Sequence, residues 1–205
     1  MNELSCSVSG IDDLAGMAAA LMQSRHTILP RRLIEPGPDA AQLEMIFSAA
    51  ATAPDHGQLR PWRFILVQSS ERHRLADTFA AALRERDVAA SEEELGRARD
   101  KAYRAPLLML MVVNSHCGDM TIDLNERLVS AGCALQNMLL MATAQGLGSA
   151  LTSGKALKSS GLRMLFGLSS DELALCFVCI GTVQSRKQAV LRPEVSAFVS
   201  TLRRK

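Results

Sequence analysis

Residues 123–145 constrain this chain more than any other stretch. They read as one helix, and after its first turn the helix is apolar nearly all the way round: Leu128, Val129, Ala131, Cys133, Leu135, Met138, Leu139, Leu140 and Met141. A surface helix needs only one apolar stripe, whereas a helix apolar on most sides must be covered on most sides. The cover can come from the same subunit or from a second copy, and the pattern does not choose between them. Ala131 and Gly132, midway, let another helix approach closely. The glycines that follow, Gly146 and Gly148, suit a left-handed helix end. They come after a helix and before a strand, the reverse of the order in the dinucleotide-binding glycine motif, so that motif is absent.

The rest of the chain supplies what the helix must pack against. Apolar runs at 63–68, 107–113, 148–153 and 173–182 read as strands. Helices are expected over 12–25, from the Asp39 cap to residue 51, over 71–86, over 92–103 behind a capping box of Ser91 and Glu94, and over 161–166. Helices outnumber strands, which predicts an α+β protein with a mixed central β-sheet flanked by helices. The 205 residues suit a single domain, 1–205, with flexible ends at about 1–11 and 200–205. The last stretch, 183–205, is polar with a late apolar patch (Val195, Phe198, Val199, Leu202) and must dock on its own subunit or a neighbour.

Several function classes drop out. A net charge of +2 is too small to predict binding to nucleic acid or a membrane. The apolar run at residues 107–113 is too short to span a bilayer. No export signal opens the sequence, and five cysteines in such a chain point to the cytoplasm and reduced thiols. Cys176 and Cys179 share the C-x-x-C spacing but sit in an apolar strand, where positions three apart face opposite sides, so they read as core residues. His116, Cys117, Asp119 and Asp123 have irregular spacing and read as a solvated loop; no metal site is expected.

Two segments have the makings of a site. Residues 53–64 form a polar loop between apolar elements, with Asp55, His56, Gln58 and Arg60 held between Pro54 and Pro61 and Arg63 just beyond. Thr152, Ser153, Gly154 and Lys155 can hold a phosphate or a ring edge, or form an ordinary turn.

In order and spacing, Arg32-Leu33-Ile34-Glu35-Pro36, Ala53-Pro54-Asp55-His56 with Pro61-Trp62 and Phe64, Arg104-Ala105-Pro106, Ser130-Ala131-Gly132-Cys133-Ala134, Ala144-Gln145-Gly146-Leu147-Gly148, Ser153-Gly154 and Gly181-Thr182 carry a likeness across residues 21–198. The chain resembles the FMN-dependent nitroreductase family, in particular its short YdjA-like branch. The resemblance implies a homodimer with FMN at the subunit interface, the long helix as dimer core and a C-terminal arm exchanged with the partner. It also implies a ping-pong transfer of electrons from NAD(P)H through FMN to nitroaromatic or quinone-like acceptors. The flavin carries that chemistry, with no catalytic side chain; backbone amides near Ser149 and Ala150 would serve its N5. Carried over by position, the cofactor contacts fall on Arg25, His26, Thr27, Thr52, His56, Leu151, Thr152, Ser153 and Arg186 (or Lys187), with a nicotinamide-nucleotide segment over residues 141–146. The sequence departs from the family at Thr52 and Thr152, where arginines are usual, and at Gln58, where lysine is common. The rival readings are another flavin reaction on the same fold, and a degenerate nitroreductase fold that binds flavin or another small ligand weakly without turnover.

Overall fold

A computed structural model of the chain describes residues 8–185 and 191–202. The elements are α1 (Val8–Ser24), β1 (Leu33–Ile34), α2 (Ala40–Ala51), β2 (Trp62–Leu66), α3 (Arg72–Arg86), α4 (Glu92–Asp100), β3 (Leu107–Asn114), α5 (Leu124–Ala144), β4 (Gly148–Thr152), α6 (Ser160–Leu165) and β5 (Glu172–Val183). The sheet runs β1-β5-β3-β2, with β4 also paired to β5. These strands pair antiparallel, and the parallel contribution is an isolated bridge between Thr27 and Ser149. The expected fold class holds: an α+β sheet flanked by helices. The expected flexible ends fall largely outside the described residues.

β3 shows why the sheet needs cover on both faces. Residues 108–113 are all buried. Side chains alternate across a strand, so Met109, Met111 and Val113 join one core with Ile46 of α2 and Ala131, Ala134 and Met138 of α5. Leu108, Leu110 and Val112 join the other, with Leu75 and Ala76 of α3 and Leu162 of α6. A strand buried on both sides reads as an unbroken apolar run, as residues 107–113 do. Cys176 and Cys179 fall into these two separate cores, as the strand geometry predicts. Burial pushes each thiol up to about 11, so both stay protonated at neutral pH.

The caps form as predicted. Asp39 accepts from the Gln42 amide at 2.8 Å while Gln42 accepts from the Asp39 amide at 3.0 Å. Ser91 and Glu94 repeat the arrangement on α4; a further cap that the sequence reading does not name is Asp123, which accepts from the amides of Asn125 and Glu126. Within one chain, α5 buries the face carrying Ser130, Ala131, Ala134, Leu135, Met138, Leu139 and Ala142. Val129, Gly132 and Gln136 remain exposed on the other side. A Cβ built on Gly132 would meet nothing within 4 Å. The chain therefore covers only half of its own long helix.

β1 escapes sequence reading because two residues carry no periodicity. Its role is to clamp residues 33–36 against the end of β5, where two paired glycines, Gly148 and Gly181, leave room. A Cβ on Gly181 would lie 2.6 Å from Cδ of the Pro106 ring and 3.2 Å from the Ile34 carbonyl oxygen. Neither neighbour is a flexible side-chain end. Gly181→Ala is expected to lower stability by about 1–3 kcal/mol through overpacking, read as a fall in the urea midpoint.

Candidate functional site

The sequence-predicted contact residues separate into two groups. The first lies along β4. α1 ends at Ser24, and the next residues run beside the strand: Thr27 bridges Ser149, and the Ile28 amide donates to the Ser149 carbonyl at 2.9 Å. The buried Ile28 side chain anchors the segment. This fixes Arg25, His26 and Thr27 next to the strand that carries Leu151 and Thr152 and runs on to Ser153. Leu151 is 42% exposed, an apolar side chain left uncovered by its own chain. Arg192 of the C-terminal stretch donates to the Arg25 carbonyl at 2.9 Å, bringing its guanidinium to the backbone of this segment. The late cation expected at Arg186 lies outside the described residues. Nothing local marks Arg192; only the fold places it beside Arg25.

The second group attaches to α5. Thr52 caps the end of α2, with its hydroxyl donating to the Ala49 carbonyl at 2.8 Å and accepting from the Asn137 amide at 3.0 Å. The loop after it is pinned by Asp55, which accepts from the Arg60 amide at 2.6 Å and from the Ser130 hydroxyl at 3.2 Å. Ser130 in turn accepts from the Trp62 indole at 3.2 Å. Gly57, Gln58 and Arg60 all have positive φ, so this loop is held in a shape that non-glycine residues seldom adopt. That geometry presents His56 to Glu126 in the first turn of α5, with Nδ1 2.6 Å from the carboxylate. Glu126 was not singled out from sequence, since 70 residues separate the two.

The Glu126 hydrogen bond, helped by its charge, raises the His56 pKa above the ordinary 6.5. A raised histidine pKa adds stability that is fully present below 6.5 and lost as pH rises through the folded-state value. The ring is exposed, so the effect on stability is small and the titration itself is the better readout. By NMR, His56 is expected to titrate above 6.5, and Glu126→Gln to bring it back toward 6.5.

Residues 141–146, expected from the resemblance to meet a nicotinamide nucleotide, form the last turn of α5 and its left-handed cap at Gly146. Ala142 there is buried. Gln145 donates to the Gln42 carbonyl at 3.2 Å while its own side-chain oxygen is buried without a partner. On the opposite face of the sheet from α5, a cavity of about 290 Å³ opens between α3, the Lys101–Tyr103 turn and the end of β4, with Thr152 and Ser153 in its wall. The Ser149 hydroxyl, beneath the bridge to Thr27, is also buried without a partner. Among the described residues no cluster of three or more His, Cys, Asp or Glu is placed to hold a metal. None of the described helices is long and apolar enough to cross a membrane.

The sheet and its flanking helices have the nitroreductase-like fold. The chain belongs to the nitroreductase family, whose family model matches residues 22–182. A Haemophilus influenzae protein named "Putative NAD(P)H nitroreductase" is 35% identical over 162 residues, covering 79% of this chain and 87% of its own length. The Escherichia coli K12 protein "Putative NAD(P)H nitroreductase YdjA" is 32% identical over 172 residues, covering 82% and 91%. The solved NADPH:FMN oxidoreductase of Vibrio harveyi, complexed with NAD+, superposes with a TM-score of 0.69 at 16% identity, covering 91% of this chain and 77% of that one. Family membership makes this chain an oxidoreductase.

Proposed function

We propose that two copies of this chain form an FMN-dependent oxidoreductase that takes electrons from NAD(P)H and passes them to nitroaromatic or quinone-like acceptors. The observation that carries the reading is the division of the contact residues. Arg25, His26, Thr27, Leu151, Thr152 and Ser153 lie at β4, whereas Thr52 and His56 attach to α5. On this reading each group in a single chain is half of a site. A second copy packed on the uncovered side of α5 would supply the missing half of each.

Other features support the same pairing. Val129 at 65% and Leu151 at 42% exposure are apolar side chains without cover in one chain. The C-terminal stretch exposes Leu191, Val195, Phe198, Val199 and Leu202 together. Such a surface fits an arm that lies against a partner.

The residues present fit FMN. Arg25 supplies a guanidinium suited to a phosphate, and the Arg192 guanidinium reaches the Arg25 backbone. Thr27 and Ser153, both exposed residues, have hydroxyls to offer. Thr52 offers less than an arginine, because its hydroxyl already serves Ala49 and Asn137. His56, held by Glu126 as a cation over a wider pH range, would present a donor toward the ring from the other subunit. When bound, the flavin would accept a hydride and release electrons to the acceptor. The protein's part is to hold the ring, admit flat molecules to one face and leave protonation to water; no side chain is needed as acid or base.

The purified protein is expected to show flavin absorption that bleaches with NADH or NADPH under argon and returns when a nitroarene or quinone is added. Initial rates should give the parallel-line pattern of a ping-pong mechanism. Protein that stays colourless after FMN is added contradicts the reading. The threonines at 52 and 152 favour a second reading, a degenerate fold that binds flavin weakly without turnover; it predicts FMN lost on dialysis and no NAD(P)H oxidation.

A further inference from the structure

We propose that the cavity beside Thr152 and Ser153 is an acceptor subsite that selects aromatic molecules bearing a carboxylate. This rests on the flavin reading above and adds the chemical class of the acceptor. Four cations line the cavity, Arg86, Lys101, Arg104 and Lys155, and no Asp or Glu does. Its one other ionisable group, Cys179, stays neutral because burial pushes its thiol up to about 11.

The contrast with nearby cations gives the cluster its meaning. Arg84 on α3 and Arg97 and Arg99 on α4 pair with Glu92, Glu93 and Asp77. None of the four cavity cations forms an ion pair with a carboxylate among the described residues. Like charges gathered without a counter-ion repel one another, and a concave apolar wall focuses their field on whatever enters. The floor is apolar and aromatic: Phe79 and Phe177 meet edge to face at 5.6 Å, with Leu83 and Leu157 around them. A volume near 290 Å³ is at the small end for ligand pockets and suits about one substituted ring. The cavity thus offers an apolar slot with a cationic rim, complementary to a ring with an anionic substituent.

Arg104 is held in place. The carbonyls of Ala102, Ala105 and Pro106 on either side of it all accept from the buried Arg72 guanidinium, at 2.7, 3.3 and 2.8 Å. A cation on a fixed backbone gives up less freedom when it grips a ligand.

For a nitroarene the balanced reaction is ArNO2 + NAD(P)H + H+ → ArNO + NAD(P)+ + H2O. The nitro group takes two electrons and two protons and loses one oxygen as water; one proton originates in the hydride and one in solvent. The test compares 4-nitrobenzoate with the neutral 4-nitrobenzyl alcohol on the FMN-loaded protein. kcat/KM is expected to favour the benzoate by about tenfold, the size of one charge-assisted contact. In Arg104→Gln/Lys155→Gln that ratio should fall to near one. Isothermal titration of 4-nitrobenzoate into flavin-free protein gives a readout independent of turnover, with the double variant expected to bind about tenfold more weakly. If the wild-type protein binds both compounds equally, the proposal is overturned. It is also overturned if the variant keeps the ratio but loses FMN, or keeps it but changes the NADPH-to-NADH preference, since the cavity then serves a cofactor phosphate. If no NAD(P)H is oxidised at all, the flavin reading fails, and the titration alone decides whether the cavity takes an aromatic carboxylate.

Discussion

Arg72→Met is expected to lower the stability of the protein by about 3–5 kcal/mol. Arg72 is 5% exposed and has no carboxylate near enough to pair with among the described residues. Its charge is satisfied by four backbone carbonyls: Val67 at 3.2 Å, Ala102 at 2.7 Å, Ala105 at 3.3 Å and Pro106 at 2.8 Å. Burial lowers its pKa below the ordinary arginine value, the sign of a charge that is costly to keep dry. Each charge-assisted bond is worth roughly 1.5–3 kcal/mol, and each buried carbonyl left unpaired costs about 1–3 kcal/mol. Methionine roughly fills the volume and removes the charge, which offsets part of the loss. It cannot satisfy the oxygens. Ala105 lies inside this clamp with φ at +71°, a strained conformation that the Arg72 bonds help to hold. The urea midpoint should fall with little change in slope. A loss below about 1 kcal/mol would show that water takes over the carbonyls and that the clamp is not structural.

Arg25→Ala is expected to weaken FMN binding about 10- to 100-fold while leaving the fold intact, since one charge-assisted phosphate contact is worth about 1.5–3 kcal/mol. The structural work of this position is done by its backbone: the amide donates to the Leu21 carbonyl at 3.2 Å, and its own carbonyl accepts from Arg192. Alanine preserves both. Arg192→Ala is expected to weaken binding less, because Arg192 is fully on the surface and spends one nitrogen on that carbonyl. Flavin fluorescence titration reads both. Affinity within twofold of wild type in Arg25→Ala would mean that the phosphate is held elsewhere, and the cationic cavity near Thr152 would be the place to look.

What could be read from sequence follows the range of the interactions. The caps at Asp39 and Ser91 are local, three residues or fewer, and they form as the residue pattern predicts. The opposite facing of Cys176 and Cys179 follows from strand geometry alone. The long-range pairs were not legible. Arg72 reads as an ordinary surface residue in a charged helix until the fold brings residues 102–106 against it. His56 was legible as a candidate but its partner Glu126 was not. Arg192 gains its place only through contact with Arg25, 167 residues away. α5 was read as a helix needing cover on most sides, and the chain supplies half; a pattern of apolar positions records that a face is buried but not by which copy.

The central claim is that a second copy completes each flavin site. Sedimentation velocity of the protein, followed at the visible absorption of flavin, tests it in one run. The account predicts that the colour moves with a species of twice the 22.2 kDa chain mass, carrying two flavins. Colour moving as free FMN, or with a species of single-chain mass, would contradict it.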